Sequence, residues 1–261
     1  MAAAPPDPMY TSALFAWLRA GGNAVRPHYL WGVLQAARAA SALGIDRMTV
    51  IEFGVAGGNG LLELEAAADE AERHYSTRIS VVGFDSGRGM PEPVDHRDVP
   101  WAIKAGVLPM DEARLTARLR RADLVLGPVS ETVPTWRLGG HPPVGFAAFD
   151  LDYFSSTMQA FSVFDGDGEA VLPRVVCYFD DILGYGWSDF NGERAAIAEY
   201  NSDHENRKIG PIYGLKYELP AEHFRQAWPE QLYVAHLFDH PRYNDFEGVV
   251  SDAFLEGHRL R

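Results

Sequence analysis

Val50-Ile51-Glu52-Phe53 has the pattern of an apolar strand, and it runs into the glycine-rich turn Gly54-Val55-Ala56-Gly57-Gly58-Asn59-Gly60. Glycine lets the backbone adopt positive φ and lets a ligand approach more closely than a Cβ atom would permit. A helical pattern follows the turn, and the first residues of a helix present unpaired N–H groups. The segment therefore predicts a nucleotide-cofactor loop. A tight strand-to-helix connection without a ligand is the alternative interpretation.

Strand and helix patterns alternate on both sides of this turn. Strands are predicted at 48–53, 79–84, 123–127, 145–149, 174–179, 213–218 and 232–237. Helices are predicted within 12–43 and at 60–75, 111–119 and 192–200. Such alternation is typical of the α/β class and predicts a largely parallel, doubly wound, Rossmann-like sheet.

Length and composition favour one domain. The chain has 261 residues, of which 47% are hydrophobic, and it shows neither a fixed repeat nor an interdomain linker. Residues 1–10 are predicted to form a flexible tail, because they are rich in proline. Residues 11–261 are predicted to form a single domain, with amino-terminal helices over 11–46 and a sheet core over 47–261. The irregular segment near 86–110 is interpreted as a lid-like insert.

Charge and hydropathy exclude several partners. A net charge of -13 disfavours nucleic acid, and no uncharged apolar run has the roughly eighteen residues of a membrane span. The proline-rich start lacks the pattern of a signal peptide, and the only cysteine, Cys177, cannot form an internal disulfide. We therefore expect a cytoplasmic protein with a small-molecule partner. A homo-oligomer is left open, since the amino-terminal helices could pack on a second subunit.

Acidic side chains stand at the ends of four predicted strands. They are Glu52, Asp85, the pair Asp150 and Asp152, and the pair Asp180 and Asp181. The carboxyl ends of parallel strands meet at one edge of a sheet, so these carboxylates are expected to converge there. A carboxylate at such a position can accept two hydrogen bonds from a ribose diol.

The glycine spacing argues against a dinucleotide. Gly54, Gly57, Gly58 and Gly60 do not form the G-x-G-x-x-G fingerprint, and Glu52 would repel a nearby pyrophosphate. The pattern fits better an adenosine joined to a zwitterionic or cationic group.

Carboxylates at adjacent strand ends repel one another unless a proton or a hard cation neutralises them, and oxygen ligands suit magnesium. Alternatively, Asp150, Asp180 or Asp181 could cap a helix or a turn.

Other polar and aromatic residues nearby also have two interpretations. Ser155, Ser156 and Thr157 are expected to cap a helix start rather than to act as nucleophiles. Tyr185 and Trp187 could either line an acceptor pocket or pack.

Several motifs together give a more specific resemblance. In chain order they are Glu52-x-Gly54-x-x-x-Gly58, Gly83-Phe84-Asp85-Ser86, Leu126-Gly127 with Glu131-Thr132-Val133-Pro134, Asp150-Leu151-Asp152-Tyr153-Phe154-Ser155-Ser156-Thr157 and Phe179-Asp180-Asp181. With them the chain resembles a class I S-adenosylmethionine-dependent methyltransferase over roughly residues 50–200. More narrowly it resembles the macrocin O-methyltransferase family, whose members methylate sugar hydroxyl groups of antibiotics and related natural products.

The resemblance implies a seven-stranded sheet with a reversed final hairpin, and it implies roles for individual residues. Glu52, Gly54 and Gly58 would line the methionine part of S-adenosylmethionine, and Asp85 would hold its ribose. Asn59 and Ser86 are further residues expected to bind the cofactor. A magnesium ion would be bound by Asp150, Asp180 and Asp181. Asp152 is a candidate general base beside Asp150, with His96 of the insert as the alternative base.

Three functions follow as hypotheses. The first is a metal-dependent O-methyltransferase that acts on a small hydroxylated molecule, such as a sugar-containing natural product. The second is a non-catalytic protein of the same fold that binds a cofactor or a partner. The third is a nucleotide-dependent oxidoreductase, against which the missing glycine fingerprint and the missing Tyr-x-x-x-Lys pair both count.

Overall fold

A computed structural model describes residues 26–166, 168–218, 226–245 and 247, and a seven-stranded sheet forms its centre. The strands are β1 (Arg47–Phe53), β2 (Arg78–Asp85), β3 (Asp123–Leu126), β4 (Val144–Phe149), β5 (Val171–Phe179), β6 (Arg207–Pro211) and β7 (Leu232–Leu237). Their order across the sheet is β3-β2-β1-β4-β5-β7-β6. The first five strands pair in parallel, and β7 runs antiparallel to both β5 and β6. The predicted fold class is thereby confirmed.

Helices cover both faces of the sheet. They are α1 (Pro27–Ala42), α2 (Asn59–His74), α3 (Glu112–Thr116), α4 (Val129–Arg137), α5 (Phe154–Ala160), α6 (Gly192–Asp203) and α7 (Leu215–Glu218). One apolar cluster joins the sheet to α1 and α2, and a second joins its other face to α4, α5 and α6. Because both faces are covered, the central strands are apolar at nearly every position, as the sequence predicted.

A row of stacked phenylalanines crosses the middle of the sheet. Phe84, Phe53, Phe149 and Phe179 lie on the neighbouring strands β2, β1, β4 and β5, with ring centroids 5.2, 5.1 and 4.8 Å apart in that order. All four rings are buried. Each of these phenylalanines is the last or next-to-last residue of its strand, so the row lies directly beneath the carboxyl edge of the sheet.

One predicted strand is wrong. Residues 213–218 show an apolar alternation at Tyr213, Leu215 and Tyr217, but they contain the short helix α7, and the edge strand β6 lies before them. Gly214 has φ of +81°, which breaks an extended backbone. Tyr213 and Tyr217 are exposed, so the alternation does not mark a buried face. β6 itself was missed because Ile209 is its only buried residue.

The amino-terminal predictions are tested in part. The helix α1 and its end before Gly44, which has φ of +67°, agree with the pattern of residues 27–43. The predicted tail at 1–10 and the predicted helix around Leu14 lie outside the described residues. Within the described ranges, no helix is both long and apolar enough to cross a membrane.

Truncation of the central ring of the phenylalanine row should cost stability. Phe149→Ala removes contacts with Phe53, Phe179 and Phe161, and we expect the free energy of unfolding to fall by about 3–5 kcal/mol. Urea unfolding of the two proteins measures the difference. Leu138→Ala is the control, because Leu138 is 89% exposed and its loss should change stability by no more than about 0.5 kcal/mol. Equal effects of the two substitutions would contradict the assignment of the core.

Candidate cofactor and metal site

A cavity of about 390 Å³ lies at the carboxyl edge of the sheet, above β1, β2 and β4. Its volume falls within the range of small-molecule sites, about 300–1,000 Å³. The cavity is lined by the glycine-rich turn, by the ends of the three strands and by Met90, Pro91 and Leu108 of the insert. The predicted residues that it brings together are Glu52, Gly54, Gly58, Asn59, Asp85, Ser86, Asp150 and Asp152.

Three glycines of the turn, Gly54, Gly58 and Gly60, are required by the packing of the chain itself. Gly54 and Gly58 have φ of +85° and +81°, and Gly58 immediately precedes α2. A Cβ atom on Gly54 would lie 1.8 Å from the carbonyl oxygen of Asp150, and one on Gly60 would lie 1.7 Å from Oε1 of Glu52. The segment is therefore a tight strand-to-helix connection, and its glycines also line the cavity. That it holds a nucleotide cofactor stays a prediction.

Glu52 is a buried carboxyl group with one unused oxygen. The Tyr29 hydroxyl donates to Oε1 at 2.7 Å, whereas Oε2 has no hydrogen-bond partner among the described residues. Burial raises the pKa of Glu52 to about 8. Because Glu52 lines the cavity, this oxygen is suited to accept a hydrogen bond from a cationic ligand group. Tyr29 could not be singled out from the sequence, because it occupies an ordinary buried position of α1.

Asp85 ties the glycine-rich turn to the end of β2. One carboxylate oxygen accepts from the N–H of Ala56 at 2.9 Å, and the other accepts from the N–H of Gly87 at 2.6 Å. Each carboxylate oxygen has a second lone pair, so a hydroxyl pair in the cavity could still donate to Asp85. Ser86 makes its own local turn, with its hydroxyl donating to the carbonyl of Gly89.

Three aspartates form a cluster beside this cavity. Carboxylate oxygens of Asp150, Asp180 and Asp181 all lie within 4.8 Å of one another. Burial and then the negative charge of Asp180 raise the pKa of Asp150 to about 7. Burial and then the charge of Asp152 raise the pKa of Asp181 to about 9. A hard divalent cation would relieve this repulsion, and the three oxygens are near enough to share one. The donor set therefore fits a magnesium ion.

Asp152 lies where the cavity and the aspartate cluster meet. It has φ of +58°, an unusual backbone conformation for a residue with a side chain. Its N–H donates to Oδ2 of Asp181 at 3.1 Å, which holds the strand ends of β4 and β5 together. Burial raises the pKa of its carboxyl group. Backbone strain of this kind is common at functional sites.

The cluster is held by residues that the sequence did not reveal. Glu193 of α6 is fully buried, and its two oxygens accept from the N–H groups of Leu151 and Asp181 at 3.3 and 3.0 Å. Burial raises the pKa of Glu193, and the neighbouring Asp181 raises it further. The hydroxyl of Tyr178 donates to Oδ1 of Asp180 at 2.5 Å. In the sequence Glu193 has the pattern of an ordinary acidic residue in a first helical turn.

One basic side chain faces these carboxyl groups. Arg26 is the only basic residue that lines the cavity within the described part of the chain. Its guanidinium interacts electrostatically with Glu52, Asp150 and Asp180. No motif singled it out, because it lies just before α1 and far in sequence from the strand ends.

The insert is fixed to the sheet by Asp98, a residue with no exposed surface. Its carboxylate accepts from the N–H and the hydroxyl of Ser155, both at 2.8 Å, and from the N–H of Val94 at 2.8 Å. The prediction that Ser155, Ser156 and Thr157 cap a helix is therefore wrong. They lie within α5, and Asp98 supplies the oxygen that a capping side chain would otherwise provide.

Other candidate residues lie apart from the cavity. His96 is exposed and does not line it, so the structure does not bring this alternative base to the site. Tyr185 is fully exposed, and Trp187 packs near Gly192.

The capping interpretation of the aspartates is not supported either. Asp180 accepts from Tyr178, and Asp181 accepts from the N–H of Asp152, which precedes α5 by two residues.

A parallel sheet with a reversed last strand, a glycine-rich turn after β1 and acidic residues at the strand ends define the fold of the class I S-adenosylmethionine-dependent methyltransferases. Two solved structures share this fold. The chain is similar to CalS11, a calicheamicin methyltransferase, with a TM-score of 0.55 and 20% identity over 86% of this chain and 84% of that one. It is also similar to the O-methyltransferase NovP, with a TM-score of 0.52 and 16% identity over 71% and 76%.

No protein-family model matches the chain, and no curated protein sequence matches it. The resemblance to the macrocin O-methyltransferase family therefore stays a prediction.

A methyl group at Gly60 should disturb the glycine-rich turn. Its Cβ atom would overlap Oε1 of Glu52, so Gly60→Ala is expected to lower the free energy of unfolding by about 1–3 kcal/mol. Gly57→Ala is the matched control, because a Cβ atom there meets nothing within 4 Å and should change stability by less than about 0.5 kcal/mol. Denaturant unfolding without added ligand measures both. Equal stability of the two variants would show that the space at Gly60 is not limiting.

Glu52 should make stability depend on pH. Its pKa is raised from 4.5 to about 8, so the folded protein holds a proton that the unfolded chain has already lost across this interval. The contribution of Glu52 is therefore complete below pH 4.5 and falls as the pH rises to about 8, by up to about 1.4 kcal/mol per pH unit. Glu52→Gln should flatten this part of the profile. Unfolding of the ligand-free proteins at pH 5, 6.5 and 8 tests it, and parallel profiles would contradict the assignment.

Proposed function

We propose that this protein is an S-adenosylmethionine-dependent O-methyltransferase that methylates a hydroxyl group of a small molecule, with a divalent cation at Asp150, Asp180 and Asp181. The observation that carries the proposal is that the cavity and the aspartate cluster adjoin at one edge of the sheet. A cavity with Glu52 and Asp85 at its wall borders a cluster of aspartates, and Asp152 lies between them.

The cavity suits the cofactor at two points. The unpaired oxygen of Glu52 is placed to accept a hydrogen bond from the methionine ammonium group, and Asp85 is placed for the ribose hydroxyls. Gly54 and Gly58 line the cavity with a backbone of positive φ, which a residue with a side chain rarely adopts. Four carboxyl groups and one arginine line the cavity, a balance that favours a cationic ligand over a pyrophosphate.

The aspartate cluster suits the acceptor. When bound there, a magnesium ion would supply positive charge that lowers the pKa of an acceptor hydroxyl. The hydroxyl would transfer its proton to the carboxylate of Asp152 as its oxygen bonds to the methyl carbon and the carbon–sulfur bond breaks. The products are the methyl ether, S-adenosylhomocysteine and protonated Asp152. The sulfonium is already activated, so the main task of the protein is to position the two reactants.

The two structural neighbours support transfer to oxygen in a natural product. One is named a calicheamicin methyltransferase and the other an O-methyltransferase. For this chain we propose a hydroxylated natural product as the acceptor, and the predicted resemblance to the macrocin O-methyltransferase family favours one that contains a sugar. With a net charge of -13, nucleic acid is not proposed as a partner.

Calorimetry tests the cofactor and the metal together. We expect S-adenosylmethionine and S-adenosylhomocysteine to bind, with and without magnesium, and NAD not to bind. Chelation with EDTA is expected to abolish methyl transfer, and added magnesium should restore it. Binding of NAD without either sulfur compound would favour the oxidoreductase instead. Full turnover in metal-free protein would remove the cation from the reaction.

Asp152→Asn separates catalysis from binding. In a methyl-transfer screen over hydroxylated small molecules, including sugars, the variant should turn over about 10²- to 10⁴-fold more slowly, with unchanged affinity for S-adenosylhomocysteine. Asp123→Asn, at the exposed start of β3, serves as control and should keep the wild-type rate. A wild-type rate in Asp152→Asn would exclude Asp152 as the base. Cofactor binding without transfer to any acceptor would favour the non-catalytic alternative.

A further inference from the structure

We propose that Glu193 is a positioning residue that sets the distance between the two strand ends carrying the aspartate cluster, and thereby the affinity of the cluster for a divalent cation. The inference rests on the proposed function, because it assigns to Glu193 a part in the same metal site. Glu193 itself does not line the cavity, and it acts through the backbone of its neighbours.

The contacts of Glu193 reach both halves of the cluster. Oε1 accepts from the N–H of Leu151, the residue between Asp150 and Asp152, and Oε2 accepts from the N–H of Asp181. One side chain thus holds the segment after β4 and the segment after β5 at the same time. These two segments supply all three aspartates of the cluster, so a shift of either one changes the spacing of the ligand oxygens.

The start of α6 is itself packed against the site. Gly192 has φ of +53°, and a Cβ atom on it would lie 3.0 Å from the carbonyl oxygen of Asp152. The helix therefore begins in close contact with the segment after β4. Glu193, the next residue, is directed inward and has no exposed surface.

A carboxylate is the group that this position requires. Both partners of Glu193 are N–H donors, and a carboxylate only accepts, so each oxygen can serve one donor. The amide of a glutamine would turn its NH₂ group toward one of these donors and lose that hydrogen bond. An aspartate is one methylene shorter, so it would not reach both N–H groups without movement of the backbone.

The cost of this arrangement also indicates a role at the site. The described residues place no basic side chain in hydrogen-bond or ion-pair contact with Glu193, and Asp181 lies beside it. A buried acidic group next to other acidic groups is unfavourable for folding alone. Glu193 is therefore held by the backbone N–H groups of the two segments that carry the aspartates.

The test uses Mn²⁺ as a probe for the cation and S-adenosylhomocysteine as a probe for the cavity. In the full-length protein, Glu193→Gln and Glu193→Asp are expected to weaken Mn²⁺ binding by about 10- to 100-fold, the usual effect of losing a partner that orients a metal ligand. Affinity for S-adenosylhomocysteine, measured without metal, should stay within about threefold of wild type, because Glu193 does not line the cavity. Calorimetry measures both affinities.

Glu65→Gln is a matched control. Glu65 is equally buried, and its Oε1 accepts from the N–H groups of Arg120, Arg121 and Ala122, far from the aspartate cluster. Its substitution should lower the melting temperature but leave Mn²⁺ affinity unchanged. If Glu193→Gln and Glu193→Asp behave in the same way as Glu65→Gln, Glu193 has only a structural role and the inference is wrong.

A further measurement needs no variant. Hydrogen exchange in the metal-free wild-type protein should show slow exchange of the Leu151 and Asp181 N–H groups, and rapid exchange of both would overturn the inference even if the variants do not fold. The proposed function fails separately, since it requires the wild-type protein to bind both S-adenosylhomocysteine and Mn²⁺. If the wild-type protein binds both and the Glu193 variants bind Mn²⁺ equally well, only the role of Glu193 is rejected.

Discussion

Repulsion between carboxyl groups at one edge of the sheet is the constraint on which the site depends. Burial and mutual repulsion raise the pKa values of Asp150 and Asp181 well above those of free aspartate. Parallel strands bring these groups together, because each strand ends at the same edge. The neighbouring structure counters the repulsion with hydrogen bonds to Asp180 from Tyr178 and to Asp181 from the Asp152 backbone. It leaves a net excess of negative charge that favours a cationic ligand.

The rigid base for this edge is apolar. Beneath the acidic residues, the row of phenylalanines from Phe84 to Phe179 spans four strands without a polar atom. Close-packed rings resist small displacements of the strand ends, because a packed core has few alternative arrangements. The strained backbone at Asp152 is held above this base by its bond to Asp181. Aromatic packing and acidic chemistry therefore occupy successive layers of the same strands.

Much of the fold could be predicted from the sequence, because buried parallel strands are continuous apolar runs with clear ends. The acidic side chains at those ends could be predicted for the same reason. Glu193 and Asp98 could not, because each acts on a backbone N–H that is distant in sequence, at Leu151 and Ser155. The strand at 213–218 was predicted wrongly, because of its three alternating apolar residues only Leu215 is buried, whereas Tyr213 and Tyr217 are exposed.

The glycine spacing has an explanation in the acidic site itself. Gly60 leaves room for the Glu52 side chain beneath the start of α2, and Gly54 leaves room for the carbonyl of Asp150. A dinucleotide fingerprint places its glycines to admit a pyrophosphate, whereas these two admit parts of the chain's own acidic strand ends. The turn and the aspartates therefore depend on each other. A larger residue at Gly54 or Gly60 would displace the β4 end or Glu52, so these two glycines belong to the acidic site as well as to the turn.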